Sequence, residues 1–171
     1  FFEAPGAAGV TCTTLEQKGI PNVVMADGPG GVRVTQHFTA RNVETGKEQE
    51  VFHYCIAWPS GTVLAQSFDR SIAEAVGEGM RNDLAAMKIG IFLAPGINIQ
   101  RNPLCGRNFE YYSEDPLVAG EMAAAMVKGI QKDHKAVACI KHFAANNQET
   151  NRNANNSVVG QRALREIYLE P

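Results

Sequence analysis

A carboxylate and a guanidinium lie six residues apart in Asp27-Gly28-Pro29-Gly30-Gly31-Val32-Arg33. An ionised Asp accepts from two hydroxyls, an Arg fork donates to oxygens, and glycines let backbone approach a ligand closely. The plainer reading is a strand-exit turn, since Asp-Gly and Pro-Gly are common turn formers. A second cluster runs from Gln100 to Asp115 (QRNPLCGRNFEYYSED) and mixes Arg101 and Arg107 with Glu110, Glu114, Asp115 and three aromatics. Aromatic faces stack on sugar rings and planar polar groups grip hydroxyls; a solvated loop fixed by Arg–Glu pairs fits equally well. A third is Lys141-His142, which follows the apolar run AVACI abruptly. A buried ammonium is costly unless paired, so the switch from apolar to charged favours a functional role. The alternative is a core His142 with Lys141 reaching out to solvent. The run Asn146 to Arg152 (NNQETNR) offers amides and a guanidinium, groups that fix loops as readily as they bind ligands.

These groups need elements to position them. Val23 to Ala26 reads as a buried strand ending at the glycine cluster. Residues 36 to 57 are mostly polar and read as a long excursion, and TVLAQSF (62–68) as a second strand. Asp69 to Lys88 reads as a helix with a Ser71/Glu74 capping box and an apolar stripe of Ile72, Val76, Met80, Leu84 and Met87. Gly77 and Gly79 suit close packing on a sheet. IGIFLA (89–94) suits a strand buried on both faces. Asp115-Pro116 opens a second helix striped by Val118, Met122, Met126 and Ile130; AVACI (136–140) is another buried strand, and Gln161 to Leu169 begins a further helix. Strands alternating with helices imply βαβ units and a parallel sheet, with the polar clusters following the strands. A β/α barrel has its active site at that end. A doubly wound sheet has the same pattern.

Bulk properties exclude several classes. The 171 residues carry a formal net charge of −2 with scattered Lys and Arg, so there is no basic field for a nucleic-acid backbone. No apolar stretch reaches the roughly 20 residues of a membrane span. Cys12, Cys55, Cys105 and Cys139 show no C-x-x-C spacing and read as free thiols, which leans toward a reducing, cytoplasmic compartment. His37, His53, His134 and His142 have no histidine partner at i+4, and H-E-x-x-H is absent, so no metal is expected. The start, Phe1-Phe2-Glu3, has neither an initiator Met nor a signal pattern, and the chain reads as part of something longer.

Taken in order, ADGPGGVR (26–33), GIFLAPGINIQRNPLCGRNFEYYSEDPLVAGE (90–121), ACIKHFAANNQETNR (138–152) and VGQRALREIYLEP (159–171) resemble the barrel domain of glycoside hydrolase family 3. The resemblance spans most of the chain after residue 20; residues 36 to 57 match nothing in it. It implies a partial TIM (β/α)8 barrel over residues 1–171, truncated before the later strands. Asp27 resembles the aspartate that grips distal hydroxyls of the sugar in subsite −1. Arg107, Lys141 and His142 resemble the cluster on neighbouring hydroxyls, Arg33 and Arg152 supporting arginines, and Glu110 a group orienting Arg107 or Lys141. Members often carry His-Arg-Asp-Pro where this chain has Gln100-Arg101-Asn102-Pro103, which removes a loop-fixing ion pair. The N-acetylhexosaminidase branch has a Pro-Gly-His-Gly setting after the Lys-His strand, where this chain reads Phe143 to Gln148. The Asp27-Gly28-Pro29 form resembles the glucosidase branch rather than the xylosidase one.

The resemblance therefore implies a retaining exo-β-glucosidase acting on a β-glucoside or oligosaccharide, with no cofactor. A retaining glycosidase needs a nucleophile and an acid/base carboxylate. In the family the nucleophile lies in a Ser-Asp-Trp-like segment on a later strand, and the acid/base belongs to an α/β-sandwich domain. The one tryptophan here, Trp58, sits in Ala57-Trp58-Pro59. No catalytic residue is assigned to this chain; its partners are the rest of the barrel and the sandwich domain. The rival readings are a non-catalytic carbohydrate-binding relic of the fold and a phosphate- or nucleotide-binding α/β domain using Asp27 to Gly31.

Overall fold

Four strands form the sheet that carries the polar clusters. The computed structural model describes residues 4–171. The sheet has the order β1 (Gly9–Val10), β2 (Val24–Asp27), β5 (Ile91–Leu93) and β6 (Val137–Ala138). β2, β5 and β6 are parallel, with Ala26 opposite Phe92 and Phe92 opposite Ala138; β1 pairs antiparallel on the outer edge of β2. Parallel pairing aligns the carboxyl ends of the three inner strands, so whatever follows each strand emerges on one side. Ala26 and Phe92 are fully buried in the centre of this sheet. β6 is shorter than the expected 136–140 strand, and a single bridge from Gly96 to Lys141 extends the pairing.

Two long helices cover the strands. α2 (Arg70–Ala86) buries Ala73, Val76, Gly77, Met80 and Leu84. Its cap is Asp69, whose Oδ1 accepts from the Ser71 backbone N–H at 2.8 Å, rather than the expected Ser71/Glu74 box. The cap lies two residues earlier, so Ile72 falls in the first turn and is nearly half exposed while Ala73 takes the core position. α3 (Pro116–Gln131) starts as expected: Asp115 Oδ1 accepts from the Val118 N–H at 3.0 Å, and Pro116 occupies the first turn. Met122, Met126 and Ile130 are buried beneath it. Each such side chain contributes about 1.5–3 kcal/mol on burial.

The two helices meet at glycines. A Cβ on Gly77 would sit 2.4 Å from the Met126 carbonyl oxygen, and one on Gly129 2.1 Å from that of Glu74. Gly77 thus serves the helix–helix contact and not the sheet contact expected for it. Gly79 makes room for the Trp58 indole, whose Nε1 donates to Asp83 Oδ2 at 2.8 Å.

Two segments differ from the sequence reading. Residues 61 to 66 are a helix, α1 (Gly61–Gln66), and not a strand. Gly61, Leu64 and Ala65 are buried at helical spacing, whereas Val63 faces out. So short an apolar run does not distinguish the two periods. Residues 36 to 57 contain a hairpin of β3 (His37–Arg41) and β4 (Glu48–Phe52), with His37 opposite Phe52 and Arg41 opposite Glu48. Asn42 Oδ1 closes its turn by accepting from the Glu44 and Thr45 N–H groups at 2.9 and 3.0 Å. Its largely polar strands are mostly exposed, which blurred the alternation that marks a half-buried strand. The chain ends in α4 (Gln161–Ala163), continued by a π-helical turn over Leu164–Tyr168. All four cysteines are free.

Candidate functional site

Asp27 is the last residue of β2 and Lys141 follows β6, with β5 between them. Their backbones emerge at the same sheet edge, and Lys141 Nζ lies 2.5 Å from Asp27 Oδ1. The glycine turn after Asp27 folds straight back: the Gly28 N–H donates to Asp27 Oδ1 at 2.8 Å, and Arg33 bridges to Asp27 through its backbone. Gly28 sits at φ +133°, and a Cβ there would lie 1.7 Å from the Gly31 carbonyl oxygen, so this return needs glycine. Arg33 Nη2 also reaches Asp27 Oδ2 at 3.3 Å. The turn opens no helix, so it lacks the N-terminal N–H groups of a phosphate cradle.

The loop from residue 98 to 114 brings the next groups. Gln100 Nε2 donates to the carbonyls of Asn108 and Tyr111 at 2.8 and 3.1 Å and to Thr62 Oγ1 at 2.8 Å. The neutral amide therefore still fixes the loop at the position where the resemblance suggested a lost ion pair. The loop buries Glu110, whose Oε1 accepts from Arg107 Nε while Oε2 lies 3.5 Å from Lys141 Nζ. Glu110 thus orients both cations. Glu149 does the same on the far side. Its Oε2 lies 3.1 Å from Arg152 Nη1, and its Oε1 lies 3.8 Å from Arg107 Nη1 and accepts from Asn146 Nδ2 at 2.9 Å.

His142 is held separately. Asn98, buried after β5, accepts on Oδ1 from the His142 backbone N–H at 2.9 Å and from Nδ1 at 2.8 Å, and its Nδ2 donates to the His142 carbonyl at 3.0 Å. Nδ1 is then the protonated nitrogen, and Nε2 is the acceptor. Tyr111 packs edge-on against the ring. Burial, together with the Arg107 and Lys141 cations, lowers the His142 pKa to about 4. Burial alone would raise Asp27, but Lys141, the Gly28 N–H and Arg33 outweigh it and hold the carboxyl below its usual range. Burial raises Tyr111 to about 12.

The six residues singled out from sequence all line open space at this edge. A cleft of about 680 Å³ has Asp27, Arg33, Arg107, Lys141 and Arg152 in its wall, and an adjoining one of about 620 Å³ has His142 with Asp27, Arg107, Lys141 and Arg152. Neither outward-reaching Lys141 nor a core His142 describes what is found: the Lys141 side chain is only 14% exposed and doubly paired, while His142 lines the second cleft. Sequence reasoning missed Asn98, Tyr111, Asn146 and Glu149 as the groups that set these side chains. Only Glu149 carried a local signal, its i,i+3 spacing to Arg152. Chemically the site is a dense set of charged donors and acceptors suited to a neutral ligand with several hydroxyls. Among the described residues no group of three or more His, Cys, Asp or Glu is placed to hold a metal ion.

Fold and site define a mixed α/β protein with a cluster of paired cations and carboxylates at the carboxyl ends of parallel strands. The chain belongs to glycoside hydrolase family 3, since residues 13–171 match the model of the glycosyl hydrolase family 3 N terminal domain. It is 44% identical over 155 residues to thermostable β-glucosidase B of Acetivibrio thermocellus, covering 91% of this chain and 20% of that protein. It is 42% identical over 155 residues to an exo-α-(1→6)-L-arabinopyranosidase of Bifidobacterium longum, again covering 91% of this chain and 20% of the relative. The structure of β-glucosidase 3B from Thermotoga neapolitana in complex with α-D-glucose superposes with a TM-score of 0.86 at 46% identity, over 98% of this chain and 22% of that one. The chain thus spans about a fifth of the length of these relatives.

Proposed function

We propose that this chain forms the first part of a (β/α)8 barrel in a retaining exo-β-glucosidase and supplies the residues that hold glucose in subsite −1. The observation that carries the reading is the row of ion pairs from Asp27 through Lys141 and Glu110 to Arg107 at the carboxyl ends of β2, β5 and β6. The Asp27 carboxylate accepts from distal hydroxyls, Lys141 and Arg107 donate to neighbouring ones, and His142 Nε2 accepts another. Arg33 and Arg152 support the cluster from its rim. Each cation is already paired to a carboxylate, so its donors are oriented before the sugar arrives and little ordering remains to be done on binding.

In this reading the nucleophile and the acid/base carboxylate belong to other parts of the protein and act through an oxocarbenium-like transition state. Glu110 and Glu149 have both oxygens engaged by donors on this chain, which suits positioning. The test is Asp27→Ala in the full-length protein, assayed on p-nitrophenyl β-D-glucoside with the α-L-arabinopyranoside alongside. Severe loss on the glucoside is expected; full activity removes Asp27 from the pocket. The isolated 171-residue chain is expected to be inactive, and turnover by it would show that the chemistry resides here.

A further inference from the structure

The hairpin, the segment that the family motifs leave unassigned, carries aromatic rings on one face. His37 lies opposite Phe52 in the hairpin, and Tyr54, two residues past the end of β4, stacks its ring on Phe52. The rings are ordered along that face. His37 stacks on Phe52 at 4.3 Å between centroids with 9° between planes, and Phe52 and Tyr54 follow at 6.3 Å and 18°. Tyr54 is 85% exposed and Phe52 52%. Glu50, on the same face, accepts on Oε2 from His37 Nε2 at 3.0 Å.

This face is continuous with the cleft. Ile56 lines the 680 Å³ space that holds Asp27 and Lys141, and so does Phe109, 61% exposed on the loop that carries Arg107. The Trp58 backbone N–H donates to the Gly30 carbonyl at 2.9 Å, which fastens the segment leaving the hairpin to the turn after Asp27. Four residues separate Ile56 from Phe52, a reach of up to about 13 Å from the cleft wall to the stacked rings.

Resting on the proposed glucosidase reading, we infer that the Phe52–Tyr54 face is an outer leaving-group subsite, beyond the position next to the scissile bond, for pyranose rings of an oligosaccharide substrate. A pyranose has an apolar C–H face that packs on an aromatic ring and hydroxyls at its edge that need acceptors. The hairpin offers both, in Tyr54 and Phe52 beside the Glu50 carboxylate. An exo-acting site that holds the terminal sugar at Asp27 sends the remaining sugars out through the cleft mouth, and the wall of that mouth continues into this face.

The experiment compares Tyr54→Ala, Phe52→Ala and Tyr54→Phe in the full-length protein on p-nitrophenyl β-D-glucoside and on β-linked gluco-oligosaccharides of three and four units. Both exposed positions tolerate truncation without a core cavity. For the alanine variants, kcat/KM on the oligosaccharides is expected to fall about tenfold, the scale of one lost aromatic contact, through a raised KM. The aryl glucoside is expected to be unaffected, and Tyr54→Phe to keep wild-type values because the ring remains. Unchanged oligosaccharide kinetics, or equal losses on both substrates, overturn the inference, as does a variant effect confined to oligomeric state, which makes the face a contact between copies. Wild-type protein inactive on every glucoside overturns the glucosidase reading itself, a result distinct from these.

Discussion

Lys141 Nζ sits 2.5 Å from Asp27 Oδ1 although 114 residues separate the two, and its other neighbour is Glu110 Oε2 at 3.5 Å. One ammonium thus joins the ends of two parallel strands to the loop after the strand between them. Losing Lys141 leaves Asp27 paired with the exposed Arg33 and Glu110 paired with Arg107, and severs the link between the two carboxylates.

Replacing Lys141 with Met removes a charge-assisted bond to Asp27 and, in the proposed reading, a donor to the sugar. A hydrogen bond to a charged group is worth about 1.5–3 kcal/mol. The expected loss in kcat/KM on p-nitrophenyl β-D-glucoside is therefore about 10- to 150-fold. Steady-state kinetics of the full-length protein check it, and a loss under twofold removes Lys141 from the site.

Glu110→Gln keeps the shape of the side chain but removes the charge that sits between Arg107 and Lys141. The site then holds two cations with one carboxylate fewer, at a buried position. Thermal unfolding is expected to show a stability loss of about 1–3 kcal/mol. Glucose-analogue affinity is expected to fall too, because both donors lose their orientation; titration calorimetry reads this separately from the melting temperature.

The histidine gives a pH expectation. His142 titrates at about 4 in the folded chain, against roughly 6.5 for an unfolded histidine. Between those values the unfolded chain binds a proton that the folded chain refuses, so stability rises with pH across the window. The contribution is fully present above the unfolded value and is lost as pH falls through the folded one. Asp27, held low by Lys141, adds a loss of the same sign in acid. His142→Gln is expected to flatten the dependence of the melting temperature on pH between about 6.5 and 4. An unaltered slope sinks this assignment.

Gly129→Ala tests the helix crossing. Alanine favours an isolated helix by about 1 kcal/mol over glycine, but here its Cβ would approach the Glu74 carbonyl oxygen to 2.1 Å. Overpacking of this kind costs about 1–3 kcal/mol. A net fall in the thermal midpoint is expected; a rise shows that α2 and α3 can separate freely.

Much of this was written locally. The stripe Val76-Met80-Leu84 announces α2, and Asp115-Pro116 announces the start of α3, because periodicity and capping depend only on neighbours in sequence. Asp27, Arg107 and Lys141 stood out for the same reason: charge where an apolar run stops. TVLAQSF misled because β-branched Thr62 and Val63 suggest a strand, while the burial of Gly61, Leu64 and Ala65 under helical spacing is a tertiary matter. The β3–β4 hairpin hid because its few apolar residues sit among polar ones on strands that are exposed or only half-buried, so no buried face marks the alternation.

What the sequence determined by itself was the alternation of strands and helices, the polar character of the strand ends and, through four ordered motifs, the family. What tertiary structure alone decided was the pairing. Nothing near Lys141 in the chain names Asp27, and nothing near His142 names Asn98. Parallel strands put the ends of distant segments at one edge, and there the cost of leaving a charge unpaired selects its partner. The segment leaving the hairpin likewise reaches the cleft through Ile56 and is tied to the turn after Asp27 by the Gly30–Trp58 bond, a placement that no local pattern announces.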